Sequence, residues 1–354
     1  MSKFFVPKLQ KLIPYTPGEQ PQDKRYVKLN TNESPFPPSP KAIAYAAQAA
    51  QELQLYPDPE CKGLIQRMAE RYGVDTNEVL FTNGSDEILN FAFMAFCDQQ
   101  TQAAFPEITY GFYSVFADLN GVEYQKIPLQ EDFTIRVEDY FGLHKTVFIA
   151  NPNAPTGICL SVQQLESILQ NNPENVVVID EAYVDFGAES CVPLIHRYDN
   201  LLVVQTFSKS RSMAGARLGM CFGCKELIRD LNTVKYSVNP YNINRMTMAA
   251  GIGVLEDEEY TRQNCKEIIA VRQETASQLK NLGFSMTDSI ANFLFVRHAD
   301  VDGKQLYLKL KEKGVLIRHF DAPRLSQYNR ITIGNREQMQ VLISTIKDIM
   351  EEIQ

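Results

Sequence analysis

No uninterrupted apolar run in the sequence approaches the roughly 20 residues that a bilayer-spanning helix requires, so no membrane association of that kind is expected. There is no basic excess either. Lys and Arg number 35 against 43 Asp and Glu, a formal net charge of −8, which argues against general nucleic-acid binding. A local cationic pocket for an anionic small molecule stays compatible with that balance. Histidine is scarce, with four residues at 144, 196, 298 and 319 that are not spaced as metal ligands; no metal site is expected. No G-x-G-x-x-G and no Walker-type loop occurs, so a nicotinamide cofactor fits poorly. The opening stretch MSKFFVPKLQKLIPY lacks an apolar core followed by a small-residue cleavage site, and a cytoplasmic protein is expected. Seven scattered cysteines show no framework spacing, which suits a reducing compartment. Cys221 and Cys224 form one C-x-x-C without a second pair; both are expected to pack as small apolar groups at a strand end.

What is present is an ordinary globular composition, 44% hydrophobic and 22% charged, in 354 residues, a length that suits two domains. Residues 30–40, NTNESPFPPSP, are too rich in proline for a helix or a central strand and read as an ordered arm or loop. Helical patterns follow at 40–53, 62–72 and 85–97, the last apolar nearly all round and therefore buried. Short β-branched runs lie at 78–83, 146–150, 175–180 and 201–207. Continuous apolar strands alternating with helices predict an α/β fold with a mostly parallel central sheet covered on both faces. Beyond residue 260 the texture changes. A long charged helix at 256–282 precedes FLFV (293–296), a helix at 303–313, strands VLIRH (315–319) and RITIG (330–334), and a last helix with Leu342, Ile346, Ile349, Met350 and Ile353 on one face. The expected division is an N-terminal arm (1–40), a large domain (41–260) and a smaller α+β domain (261–354) joined by part of the N-terminal segment.

Ligands of open parallel sheets bind beyond the carboxyl ends of the strands. Four strand ends here run into polar stretches: GSDE (84–87), NPNAPTG (151–157), DEAY (180–183) and SKSRSMAGAR (208–217). Asp180 closes an apolar run, so it needs a partner. Either an internal salt bridge or helix cap supplies it, or a cationic ligand atom does. Lys209, with Arg211 and Arg217 nearby in sequence, is either a solvated loop lysine or an amine made nucleophilic by cations and desolvation. Arg217 reads as an anion clamp. The helix starting after Gly84 offers the amides of Ser85 and Asp86 to a phosphate, unless either side chain simply caps it. A phosphate at one end, a protonated ring nitrogen at the other and an aldehyde within reach of a lysine together describe pyridoxal 5′-phosphate. Arg211 finds no such role, and a surface or dimer-interface position is its default.

The sequence resembles the fold-type I pyridoxal-phosphate-dependent aminotransferases, and among them the histidinol-phosphate aminotransferases, over nearly its whole length. The matching stretches are LNTNESP (29–35), YPDPE (56–60), NGSDE (83–87), YGFYSV (110–115), NPNAPTG, DEAYVDF (180–186), TFSKSRSMAGARLG (206–219), NPYNIN (239–244) and NRITIG (329–334). The resemblance implies a three-layer transferase fold and assigns roles. Lys209 would capture the aldehyde and shuttle the substrate proton, and Asp180 would pair with the pyridine nitrogen. Tyr183 and Asn153 would bond the phenolic oxygen. Tyr110, otherwise a core tyrosine, would stack on the ring. Gly84, Ser85, Asp86, Ser208 and Arg217 would hold the phosphate, joined by Tyr56 of a neighbouring subunit, which implies a homodimer with shared sites. Arg330 would bind the substrate's anionic end, with Arg318, Tyr15, Asn32 and Tyr241 around it. Two departures stand out: Ala154 replaces a frequent second asparagine, and SRSM follows Lys209 where many relatives are more apolar. The implied reaction is amino transfer between glutamate and imidazole acetol phosphate. An aromatic amino-acid aminotransferase or a threonine-phosphate decarboxylase would use the same scaffold. A transcription regulator of this family would need a DNA-binding module for which the arm is too short.

Overall fold

A computed structural model describes residues 2–10 and 12–353. The chain opens with a short strand, β1 (Val27–Lys28), and helices α1 (Pro40–Ala49) and α2 (Lys62–Tyr72). Strand β2 (Val79–Thr82) and helix α3 (Ser85–Phe96) follow, then β3 (Ala103–Pro106), α4 (Phe112–Asn120) and β4 (Tyr124–Ile127). Next come β5 (Thr146–Ala150), α5 (Val162–Gln170), β6 (Val177–Asp180), β7 (Leu201–Thr206) and β8 (Gly219–Gly223). Three helices, α6 (Lys225–Val238), α7 (Arg245–Leu255) and α8 (Glu258–Asn281), lead to β9 (Phe284–Met286) and β10 (Phe293–His298). The chain ends through α9 (Gly303–Glu312), β11 (Val315–Leu316), β12 (Arg318–His319), β13 (Asn329–Thr332) and α10 (Arg336–Ile353).

Seven strands form one sheet in the order β2-β8-β7-β6-β5-β3-β4. Only β8 runs against its neighbours, so β2, β5, β6 and β7 all point the same way. Strand periodicity of two then sorts the apolar residues into two cores. Val147, Ile149, Val177, Ile179, Leu201 and Val203 pack with α1, α2, α5 and α7. Phe148, Val178, Leu202 and Val204 pack with α3, α4 and α6 on the other face. The result is three layers, α/β/α. A separate antiparallel sheet, β12-β13-β10-β9, shares a third core with α8, α9 and α10. In α10, Leu342, Ile346 and Ile349 face that core, and Met350 packs against it. The side chain of Ile353 lies outside the described residues.

Several expectations change. The helix read as 40–53 ends at Ala49 and continues only as a 3-10 turn to Glu52. The run VLIRH is two strands: Val315–Leu316 pairs in parallel with β1, and Arg318–His319 pairs with β13. One run thus serves two sheets and ties the N-terminal arm to the C-terminal sheet. Cys221 is fully buried on β8, but Cys224 is half-buried at the start of α6, with its thiol on the Asp199 carbonyl at 3.2 Å. Strands β1, β3, β4 and β9 are additions. No helix among the described residues is long and apolar enough to cross a membrane.

Candidate active site

Because β2, β6 and β7 point the same way, the residues that follow them meet at one edge of the sheet. There they line a cavity of about 460 Å³ with Ser85, Asp86, Tyr110, Asp180, Tyr183, Ser208, Lys209 and Arg217 in its wall. Thr31, Glu33 and Gln20 of the N-terminal arm complete it.

Asp180 ends β6 on the face that packs against α3 and α4. It is 5% exposed. Its carboxylate accepts from the Tyr113 hydroxyl (3.0 Å) and the Ala182 amide (3.2 Å), with no cation in ion-pair range among the described residues. Burial raises its pKa to about 6, against the lowering by those two donors. The internal salt bridge considered from sequence is therefore not formed. Among the described residues Lys209 Nζ reaches only the Thr31 carbonyl, at 3.4 Å, and it stands 5.9 Å from the centre of the Tyr183 ring. Burial and then Arg330 bring its pKa down to about 8; Asp86 and Glu33 oppose this, and Arg217 adds to it. The cation beside Lys209 is thus Arg330 of β13, in place of the expected Arg211. Arg211 is 4% exposed and points to the other side, where it pairs with Asp185 at 3.0 Å. Arg211 is therefore not a surface residue of this chain.

The start of α3 has Gly84 at its cap position and no side-chain cap, so neither Ser85 nor Asp86 plays that part. The amides of Ser85 and Asp86 lack an acceptor among the described residues, and they sit at the positive end of the helix dipole. Close packing here needs two glycines. Gly84 has φ +82°, and a Cβ on it would lie 2.5 Å from Arg217 Nη2. A Cβ on Gly219 would lie 2.4 Å from the Ser85 nitrogen. Arg217 donates to Asp86 at 2.9 Å, and the Tyr110 hydroxyl donates to the same carboxylate at 2.6 Å. Burial, then Asp86, pushes the Tyr110 phenol far above its usual range. Ser208 is buried beside Thr206, whose hydroxyl donates to it at 3.0 Å.

Asn153 is not in the cavity wall. Its Nδ2 donates to the Ile108 carbonyl (3.0 Å) and Thr156 Oγ1 (3.1 Å), and its Oδ1 accepts from Thr109 (2.8 Å). Asn32, also outside the wall, has φ +56° and is 1% exposed. Its Nδ2 donates to the Tyr183 hydroxyl at 2.9 Å, while its backbone amide and Oδ1 engage Thr332 of β13.

Arg330 projects from β13 between Phe293 and Phe320. It donates to the Asn30 carbonyl at 3.2 Å, and its buried Nε has no acceptor among the described residues. Burial lowers its pKa against the pull of Tyr183 and Tyr15. A desolvated guanidinium with a free donor suits a carboxylate or phosphate. Arg318 holds the carbonyls of Thr16 and Pro17. Tyr15 stacks on Phe112 with ring centres 4.2 Å apart. Tyr56 (77% exposed) and Tyr241 (42%) stack on each other, 4.5 Å between centres, and neither lines the cavity. Sequence reasoning overlooked Tyr113, which lies within the quoted YGFYSV, and Thr31 and Glu33 beside Asn32. Among the described residues no cluster of three His, Cys, Asp or Glu is placed to hold a metal ion.

A three-layer fold with lysine and carboxylate at the ends of adjacent parallel strands, facing a helix terminus with two free amides among the described residues, defines an aminotransferase-like class. The family model "Aminotransferase class I and II" matches residues 24–346, and the chain belongs to that family. It is 49% identical to the histidinol-phosphate aminotransferase of Brachyspira hyodysenteriae, across 99% of this chain and 100% of that one. It is 48% identical, with the same coverage, to the histidinol-phosphate aminotransferase of a Marinomonas species. The solved structure of the histidinol-phosphate aminotransferase of Sinorhizobium meliloti, in complex with pyridoxal-5'-phosphate, shares the fold. Its TM-score is 0.90 at 21% identity, covering 100% of this chain and 99% of that one.

Proposed function

We propose that the chain is a pyridoxal 5′-phosphate-dependent aminotransferase of histidine biosynthesis. L-Glutamate would give up its amino group and leave as 2-oxoglutarate; imidazole acetol phosphate would receive it and leave as L-histidinol phosphate. The observation that carries the chemistry is Asp180 and Lys209 in one cavity, a buried carboxylate without a cation and a half-buried amine without a carboxylate in ion-pair range among the described residues. The choice of substrate is supported by relatives alike over their full length.

When bound, pyridoxal 5′-phosphate supplies an electron sink for the carbon that loses or gains the amino group. The residues present fit it. Asp180, fixed by Tyr113 and the Ala182 amide, would hold a cationic ring nitrogen. The amides of Ser85 and Asp86, with Ser208 and Arg217, would receive the phosphate, and the missing side chain of Gly84 leaves room for Arg217. Tyr110 would lie against the ring. Tyr183 would bond the phenolic oxygen, with Asn153 joining by exchanging one of its present acceptors. Lys209, largely free of its proton at mildly alkaline pH, is suited to move a proton at the substrate carbon. Arg330 would bind the anionic end of both substrates, since its planar fork pairs with carboxylate and phosphate alike. Arg318 and Tyr15 would close that end, and Asn32 would act through Tyr183.

The exposed Tyr56, outside the cavity wall of its own chain, supports a homodimer in which each chain lends it to its neighbour's site, with Tyr241 stacked beside it. The separate cores support a large domain at 41–260 and a small one at 261–354 with part of the arm; the expected location is the cytoplasm. The test is spectroscopic. Protein loaded with pyridoxal 5′-phosphate should show a visible band that histidinol phosphate and glutamate each bleach. Bleaching by phenylalanine or tyrosine alone would turn the assignment to an aromatic aminotransferase.

A further inference from the structure

The ends of β6 and β7 carry a second set of polar residues, facing away from the cavity. Strand alternation sends Asp180 and Thr206 toward the cavity and Glu181 and Gln205 toward the opposite core. There the Tyr72 hydroxyl donates to Gln205 (2.9 Å), and Gln205 donates to Glu181 (2.9 Å). Glu181 also accepts from Ser190 and the Cys191 amide, both at 2.6 Å. Beside this network the Arg211 guanidinium lies 4.9 Å from the centre of the Phe207 ring and donates to Asp185. The Ser210 hydroxyl donates to the same Asp185 oxygen.

Asp185 is itself fixed. It sits in the short 3-10 turn Val184–Phe186, directly after Tyr183. The Tyr183 hydroxyl is held by Asn32, and the Phe186 carbonyl accepts from Arg272 at 3.2 Å. Phe186 is fully buried. Lys209 therefore lies between two tethers: Ser208 is tied to Thr206 of β7, and Ser210 and Arg211 are tied to Asp185. Neither Asp185 nor Arg211 lines the active-site cavity.

We propose that Asp185 and Arg211 are a positioning pair that locks the Lys209 segment to the segment carrying Asp180 and Tyr183. The inference rests on the aminotransferase reading. The charged and titratable groups around Lys209 include Arg330, Asp86, Glu33, Arg217, Asp180 and Tyr183; those around Arg211 include Asp185, Tyr72 and Cys265. The two sets are disjoint, so the pair acts on Lys209 through its place.

Full-length Ser210→Ala, Asp185→Asn and Arg211→Lys proteins, loaded with pyridoxal 5′-phosphate, test this. Ser210→Ala removes one hydrogen bond without unpairing a charge; a fall in kcat of about three- to tenfold is expected, with KM unchanged. Asp185→Asn should lower kcat by about a hundredfold, and Arg211→Lys, which keeps the charge, should recover most of the wild-type rate. The pH midpoint of the visible band should move in Ser210→Ala and Asp185→Asn. Unmoved midpoints and wild-type kcat, with only melting temperature lowered, would overturn the positioning role; if Asp185→Asn fails to fold, Ser210→Ala decides alone. A wild-type protein without a visible band would instead overturn the cofactor reading, and this inference with it.

Discussion

Asp180 and Asp185 lie on either side of one strand end and live under different rules. Asp185 has a guanidinium at 3.0 Å; Asp180, more deeply buried, has a phenol and an amide but no cation in ion-pair range among the described residues. The lysine and arginine after β7 repeat the contrast: Arg211 has its carboxylate, and Lys209 has a backbone carbonyl. A second cavity of about 480 Å³, lined by Arg71, Asp185, Arg211, Glu258, Glu259 and Arg262, lies on the paired side. There every one of those arginines is matched with a carboxylate. Size alone does not mark the functional cavity. Buried charge left unmatched is costly, and it persists where a ligand completes the pairing.

Removing the unmatched amine has the largest expected effect. Lys209→Ala should abolish the visible band and lower turnover by about 10⁴-fold, read in a stopped-flow amine exchange. Asp180→Asn keeps the shape and removes the charge; kcat should fall on the order of 10²- to 10³-fold while the protein stays folded. Arg330→Lys keeps the charge and loses the fork. Both half-reactions should weaken by about 10- to 100-fold, and sparing of either one would break the dual role.

The smallest effect is on stability. The folded pKa of Asp180 is raised above its unfolded value, so between about pH 4 and about pH 6 the folded state binds the extra proton. Ligand-free stability should therefore fall as pH rises through that window, by up to about 3 kcal/mol. Denaturant melts of the wild type minus Asp180→Asn isolate the contribution. Equal slopes in the two proteins would remove the unmatched carboxylate from the account.

Part of the unmatched side was legible in the sequence because several of its members follow an apolar run. Asp180, Ser208, Lys209 and the GSDE turn stand out where hydrophobicity stops. The matched side was not legible. Arg211 differs from Lys209 by two positions, and only the turn of the chain at Ser210 sends it into the opposite core. Tyr113 was hidden for a similar reason: its contact with Asp180 depends on where α4 begins. The edge strand β4, YQKI, has two exposed residues and no apolar run, so it carried little signal. The split of 315–319 depends on β1, whose two residues reveal nothing by themselves. Asn153 shows the converse, a residue legible from its motif whose amide is occupied by Ile108, Thr109 and Thr156.

The central claim is that Lys209 is the amine left free for an aldehyde. Borohydride reduction of the protein loaded with pyridoxal 5′-phosphate, followed by peptide mass spectrometry, tests it directly. The account predicts a single phosphopyridoxyl group on the peptide containing Lys209, and none in Lys209→Ala. A label on another lysine, or an undiminished label in that variant, would contradict it.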